Sequence, residues 1–245
     1  MPGSESELRI FARYWEWERI VRDNLPNVLA EKLVNTVFQT VFKLDVDRIL
    51  PCGYEALARF PIANRIPVGL WFRTARELGL GRELETLAAE TAADTCGLLP
   101  RERFLVVNSS LISVDVVLDE LAPRVDMPIV LDIPYGAVLG RSYREIFRLI
   151  RDAGVAVSLD DVPLEQLHEL RPDIEAARPD HLKVDVLIGL FDNPMGRFNL
   201  AEAAVWCRDS GIVLVAERVE TPEDFEMLLD LGVEMAQGYT LARPA

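Results

Sequence analysis

The sequence predicts an α/β fold: a TIM-like (β/α)8 barrel with one antiparallel strand, preceded by an N-terminal helical extension. Three observations predict it. Short apolar runs alternate with helix-like segments, the pattern of parallel strands buried on both faces. Seven of those runs end in a residue able to bind a metal or move a proton: Glu55, Asn108, Asp132, the pair Asp160 and Asp161, Lys183 with Asp185, Glu217, and Gln237 near the end. In a closed barrel the strand ends converge on one mouth, so residues far apart in sequence meet there. The length of 245 residues also suits one barrel, since the fold commonly needs about 250.

The elements follow in order. Ser4-Glu5-Ser6-Glu7 has the spacing of a capping box, and Ile10, Tyr14, Trp17 and Val21 recur at helical intervals with Phe11 and Trp15 widening the face. This predicts an amphipathic helix outside the barrel, forming an extension over 1–30. Its aromatic stripe either packs over one barrel end or offers a surface to a second copy or a protein partner. A second helix is expected from Asn27 to Asn35, and the Phe and Val alternation of Thr36 to Leu44 predicts the first strand. Only Asp45-Val46-Asp47 separates that strand from the next run, Arg48 to Glu55. Parallel neighbours need a crossover of a dozen or more residues, so the first strand is antiparallel to the second or not its neighbour. Helices are expected near Val68 to Leu78, Arg82 to Thr95, Val114 to Leu121, Ser142 to Ala153, Asn199 to Asp209 and Pro222 to Leu231, within a barrel domain spanning 31–245.

Composition narrows the function. With 26 basic and 40 acidic residues the formal charge is −14, which repels nucleic-acid backbones and anionic membranes at long range. A small anionic ligand stays compatible, because a bound divalent cation inverts the local field. Cys52, Cys96 and Cys207 are odd in number and widely spaced, so neither a disulfide framework nor a zinc site is indicated. No run approaches a membrane span and the start lacks a basic leader, so a cytoplasmic protein is expected. His168 and His181 lack ligand-like neighbours and read as surface or loop residues.

Taken together, Gly53-Tyr54-Glu55-Ala56-Leu57-Ala58-Arg59, Val107-Asn108-Ser109, Leu159-Asp160-Asp161, Leu182-Lys183-Val184-Asp185, Val215-Ala216-Glu217-Arg218-Val219-Glu220-Thr221 and Gln237-Gly238-Tyr239 with Arg243-Pro244 resemble, in order and spacing, the EAL-domain family of cyclic di-GMP phosphodiesterases. The resemblance runs from Val37 to Ala245 and implies a barrel with an antiparallel first strand. It implies hydrolysis of one phosphodiester of cyclic di-GMP with Mg²⁺ or Mn²⁺, held by Glu55, Asn108, Asp160, Asp161 and Glu217, with Asp132 where the family has Glu. Hard cations take such oxygen donors, and two of them can activate a water and steady both oxygens of an in-line displacement. By the same resemblance Lys183 orients or helps deprotonate the water, Glu217 is the general base, Arg59 holds a phosphate, and Gln39 and Gln237 contact ligand or complete the pocket.

The departures bear on activity. Asp132-Ile133-Pro134-Tyr135 stands where the family has Glu-Ile/Leu-Thr-Glu. Asp withdraws the carboxylate by one carbon–carbon bond, about 1.5 Å, and a misplacement of about 1 Å in a catalytic constellation can cost on the order of a hundredfold in rate. The family's Phe-Gly-Thr-Gly loop after the paired aspartates is replaced by Val162-Pro163-Leu164-Glu165. Without glycine the backbone cannot cheaply visit positive φ, and Pro163 suits the first position of a helix, so a rigid connection is expected. Arg218, in place of the family's Gly, has three readings: a partner for Glu217, a phosphate contact, or a solvent-facing side chain. Asp185 and Glu220 read as structural ion-pair partners. The chain thus reads as a degenerate EAL domain that binds cyclic di-GMP as a receptor with weak or absent hydrolysis. An active phosphodiesterase and a nucleotide-free interaction module are the competing readings.

Overall fold

The computed structural model describes residues 5–45, 48–139, 143–187 and 189–245, and side chains of the first helix from residue 12 onward. The chain divides into two compact units, Met1–Thr36 with Ala58–Gly97, and Val37–Leu57 with Leu98–Ala245.

The first unit is helical. One helix, α1 (Glu5–Ala30), runs through Pro26 where two were expected, and it ends short of the expected Asn35. Val21, Leu25 and Val28, at i, i+4 and i+7, are all fully buried, and packing of that shared face outweighs the backbone hydrogen bond that proline removes. The other helices are α2 (Val68–Glu77) and α3 (Gly81–Thr95). Their core joins Leu70, Trp71, Ala75, Leu84 and Leu87 to Val34, Phe60 and the buried face of α1. Trp71 is fully buried and stacks on Phe60 with ring centroids 4.5 Å apart. The aromatic stripe of α1 divides: Tyr14 and Trp17 pack on this core, with the Arg73 guanidinium 4.9 Å above Tyr14, whereas Trp15 is 68 % exposed. Ile10 and Phe11 lie outside the described side chains.

The second unit is a closed eight-stranded barrel in sequential order. The strands are β1 (Asn35–Asp45), β2 (Arg48–Arg59), β3 (Phe104–Asn108), β4 (Ile129–Pro134), β5 (Ala156–Asp160), β6 (His181–Asp185), β7 (Val213–Glu217) and β8 (Met235–Ala236). Neighbours from β2 to β8 are parallel, and β1 pairs antiparallel with β8. The first strand therefore runs against the other seven, as the short turn before Arg48 predicts. Helices α5 (Tyr143–Asp152), α6 (Leu167–Ala177), α7 (Pro194–Ser210) and α8 (Pro222–Asp230) follow β4 to β7. After β3 the helix α4 (Val114–Val116) is irregular: it widens into a π turn, Val117–Leu121, and tightens through Ala122–Arg124. Helix α7 starts five residues before the expected Asn199: Asn193 accepts from the Met195 N–H at 3.0 Å and Pro194 takes the first position.

Strand alternation builds the barrel interior in layers. Val106, Val130 and Val215 are buried in one apolar cluster with Val41. Two residues onward along the same strands stand Asn108, Asp132 and Glu217, so each polar side chain sits one layer above an apolar one. Gly53 belongs to this packing: a Cβ there would lie 2.1 Å from the Phe104 ring, leaving no room for any larger residue beneath Glu55.

Replacing Trp71 should reveal what its stack contributes. Trp71→Ala should lower unfolding free energy by about 3–5 kcal/mol. Both changes delete the buried indole N–H that has no partner, so Trp71→Phe should cost less because it keeps a ring to stack on Phe60 and leaves a smaller cavity. Urea denaturation of both variants checks this; equal losses would show that the ring stack contributes nothing.

Candidate active site at the barrel mouth

Lys183, the central residue of β6, is 3 % exposed and lies among carboxylates from four other strands. Its Nζ is 2.7 Å from Asp132 Oδ2, 2.7 Å from Glu217 Oε1, 3.5 Å from Glu55 Oε2 and 3.5 Å from Asp160 Oδ1. The strand-end rule thus brings Glu55, Asp132, Asp160, Lys183 and Glu217 together. Gln237, just past β8, joins them: its Nε2 donates to Glu55 Oε2 and Glu217 Oε1, each at 2.6 Å. Asn108 Nδ2 donates to Glu55 Oε1 at 3.0 Å. The remaining candidates are placed differently. Gln39 is buried in β1, where its Nε2 donates to the Ala242 carbonyl at 3.4 Å. Arg59, the last residue of β2, donates from Nη1 to the Ala58 carbonyl at 2.9 Å. Asp161 follows β5 with a left-handed backbone, φ 54°.

Burial sets the electrostatics. It pushes the Asp132 carboxyl up to about 7 against the pull of Lys183, with Asp160 and Glu55 adding to the rise. Burial also holds Glu217 well above the usual carboxylate range against Lys183. For Lys183 itself burial works downward, but Asp132, Glu217, Glu55 and Asp160 together raise the ammonium well above its ordinary value. Asp161 is exposed as a residue, yet enough protein surrounds its carboxyl to raise it, with Asp160 and Asp185 contributing.

The donor set suits a hard divalent cation, being carboxylate and amide oxygens. Asp132 Oδ1 and Asp160 Oδ1 are moreover buried without a hydrogen-bond partner. As they stand, these carboxylates face Lys183, and among the described residues no three acidic, histidine or cysteine side chains converge in a metal-ligating group. The chemistry of the donors fits a metal, while the central positive charge is supplied by Lys183.

Three residues depart from or extend the sequence reading. His181 is not in a loop: it opens β6, half-buried against Phe104 with ring centroids 5.6 Å apart, and burial lowers its pKa. Arg218 pairs with Asp185, Nε to Oδ1 at 2.9 Å, and not with Glu217. Ser158 extends the set: it is buried two residues before Asp160, with its Oγ unpartnered, and the period of two along β5 carries that signal.

Comparison with known proteins agrees with this geometry. Residues 22–244 match the EAL domain, and the chain belongs to that family. It is 27 % identical over 222 residues to the probable cyclic di-GMP phosphodiesterase PdeN of Escherichia coli K12, covering 82 % of this chain and 42 % of that protein. The FimX EAL domain of Xanthomonas citri, solved in complex with c-di-GMP, superposes with a TM-score of 0.74 at 18 % identity, covering 96 % of each chain. Bacillus subtilis YkuI, solved with c-di-GMP and calcium, gives a TM-score of 0.70 at 20 % identity over 92 % of this chain and 57 % of its own. The chain thus spans about half the length of PdeN and YkuI, and the structural likenesses establish the fold.

Lys183 is expected to hold this cluster together. Lys183→Met leaves buried carboxylates uncompensated and should lower stability by about 3–5 kcal/mol. Adding Asp132→Asn should recover part of that loss, since the two residues share one charge network. Urea melts of the single and double variants decide it; a Lys183→Met protein as stable as the parent would mean that the carboxylates need no internal counter-ion.

Proposed function

We propose that this chain binds cyclic di-GMP at the C-terminal mouth of its barrel and acts as a cytoplasmic receptor in cyclic di-GMP signalling, with weak or absent hydrolysis. The observation that carries this reading is the closure of Lys183 Nζ onto Asp132 and Glu217, at 2.7 Å each. A lysine that orients an attacking water and a glutamate that takes its proton must both present their polar atoms to that water. Here the two satisfy each other, and the shorter Asp132 has its free oxygen buried without a partner. The connection after Asp161 supports the same reading. Val162 and Leu164 are buried on either side of Pro163, and the chain passes through the turn Leu164–Gln166 directly into α6, which leaves little backbone freedom to couple to turnover.

In this reading Arg59 holds a phosphate, and Gln39 and Gln237 complete the pocket. Glu55, Asn108, Asp132, Asp160, Asp161 and Glu217 would hold Mg²⁺ or Mn²⁺, which would supply Lewis acidity at the phosphodiester. Free thiols at Cys52, Cys96 and Cys207 suit a reducing compartment, and among the described residues no helix is long and apolar enough to cross a membrane. The exposed Trp15 on α1 supports a homodimer or protein partner engaging that helix. An active phosphodiesterase is the second reading, favoured by the gathering of Glu55, Asp160 and Glu217 within 3.5 Å of Lys183.

Calorimetric titration with cyclic di-GMP, with and without divalent metal, alongside an assay for the linear dinucleotide, tests the proposal. Binding without turnover supports the receptor, rapid turnover selects the enzyme, and no binding at high micromolar nucleotide refutes both. Arg59→Ala should weaken binding about ten- to a hundredfold, the worth of a charge-assisted contact. Asp132→Glu should raise hydrolysis only modestly, because the connection after Asp161 is unchanged; a rate typical of active enzymes would place the whole defect at Asp132.

A further inference from the structure

Arg218 has no task in the reading above, yet the fold holds it in a costly conformation. Its φ is +58°, the left-handed region that residues with a Cβ enter only under constraint. The constraint is visible. Val219 is fully buried, its N–H donates to the Gln237 carbonyl and its carbonyl accepts from the Thr240 N–H, both at 3.2 Å. Gly238 lies so close that a Cβ on it would stand 2.2 Å from the Val219 carbonyl oxygen. This clamp fixes the chain just after Glu217, in a geometry that glycine would accept without strain. The chain carries arginine there.

The conformation returns the side chain to β6. Asp185 is the register partner of Glu217, and its Oδ1 lies 2.9 Å from Arg218 Nε. Asp185 is 27 % exposed and Arg218 is 59 % exposed, so one edge of the guanidinium is held by charge at close range, without an aligned hydrogen bond, while much of the group stays open. Lys183 offers nothing comparable, being buried and surrounded by carboxylates. A solvent-accessible guanidinium held near a carboxylate keeps a planar fork of donors free for an oxyanion.

We propose that Arg218 is a second phosphate-binding residue of this mouth, its open edge taking a non-bridging oxygen of the cyclic dinucleotide, with Asp185 as the positioning residue that acts through it. The inference rests on the nucleotide-binding reading, and it fits a ligand that carries two phosphodiesters and so can use a cation besides Arg59.

Affinity for cyclic di-GMP, measured calorimetrically in calcium, tests it. Arg218→Gly suits the backbone, so its melting temperature should stay near that of the parent, while affinity falls roughly ten- to a hundredfold, the loss a charge-assisted hydrogen bond carries. Asp185→Asn separates positioning from simple charge. Removing a negative charge should tighten binding of an anion, whereas loss of the anchor should weaken it several-fold. In the Arg218→Gly background Asp185→Asn should cause no further loss. Binding that survives Arg218→Gly within twofold, or that tightens in Asp185→Asn, overturns this inference alone. A parent chain that takes up no nucleotide overturns it together with the reading on which it rests.

Discussion

Taking several carboxylates and one ammonium out of water is tolerable only while the charges stay paired, because each isolated ion would lose several kcal/mol of hydration. The barrel mouth is organised by that constraint. The apolar layer of Val41, Val106, Val130 and Val215 closes the space below, so the charged layer cannot be hydrated from beneath. Lys183 answers with contacts to Asp132, Glu217, Glu55 and Asp160, and the Gln237 amide gives one nitrogen to two of the same carboxylates. The barrel's closure depends on this too. Gln237 reaches Glu55 because β8 pairs with both β7 and the reversed β1, and its own N–H continues the ladder onto the Ala216 carbonyl at 2.8 Å.

A second device keeps consecutive charged residues at the mouth. Both β5 and β7 end in an inner carboxylate, Asp160 and Glu217, followed by a residue with positive φ, Asp161 at 54° and Arg218 at 58°. An extended strand would send neighbours to opposite faces. The left-handed turn instead brings Arg218 onto Asp185 and leaves Asp161 under the influence of Asp160 and Asp185. Local backbone strain thus buys a second shell of charge around the first.

The parts of this arrangement legible in the sequence are those governed by short-range pattern. Apolar runs ending in Glu55, Asn108, Asp132, Asp160 and Glu217 announced the strands and their order, and the three-residue interval after Leu44 announced the reversed strand. What could not be read depends on register and on packing between distant segments. That Arg218 meets Asp185 and not Glu217 follows from the pairing of Asp185 with Glu217 across β6 and β7, which no local spacing encodes. His181 reads from sequence as a surface or loop residue for want of a ligand-like neighbour, but the strand alternation places it below Lys183 against Phe104. Helix α1 continues through Pro26 because Val21, Leu25 and Val28 share one buried face, a tertiary gain that propensity cannot foresee. The Asn193-Pro194 start of α7 was different: its signal was local and simply stronger than the apolar pattern that begins at Asn199.

A receptor and an enzyme place different demands on one pocket. Catalysis rewards contacts that strengthen only in the transition state, whereas recognition rewards contacts made equally in the ground state by groups that need not move. Lys183 paired with Asp132 and Glu217, and a connection after Asp161 pinned by buried Val162 and Leu164, are features of the second kind. Each fixes a group that turnover would require to rearrange. Fixing it lowers the conformational entropy left to lose when a ligand docks, so the changes that weaken hydrolysis in the proposed reading are compatible with retained affinity. In the proposed receptor reading, Asp132 on the fourth strand and the connection packed through Val162 and Leu164 act in one direction, toward a site formed before the ligand docks.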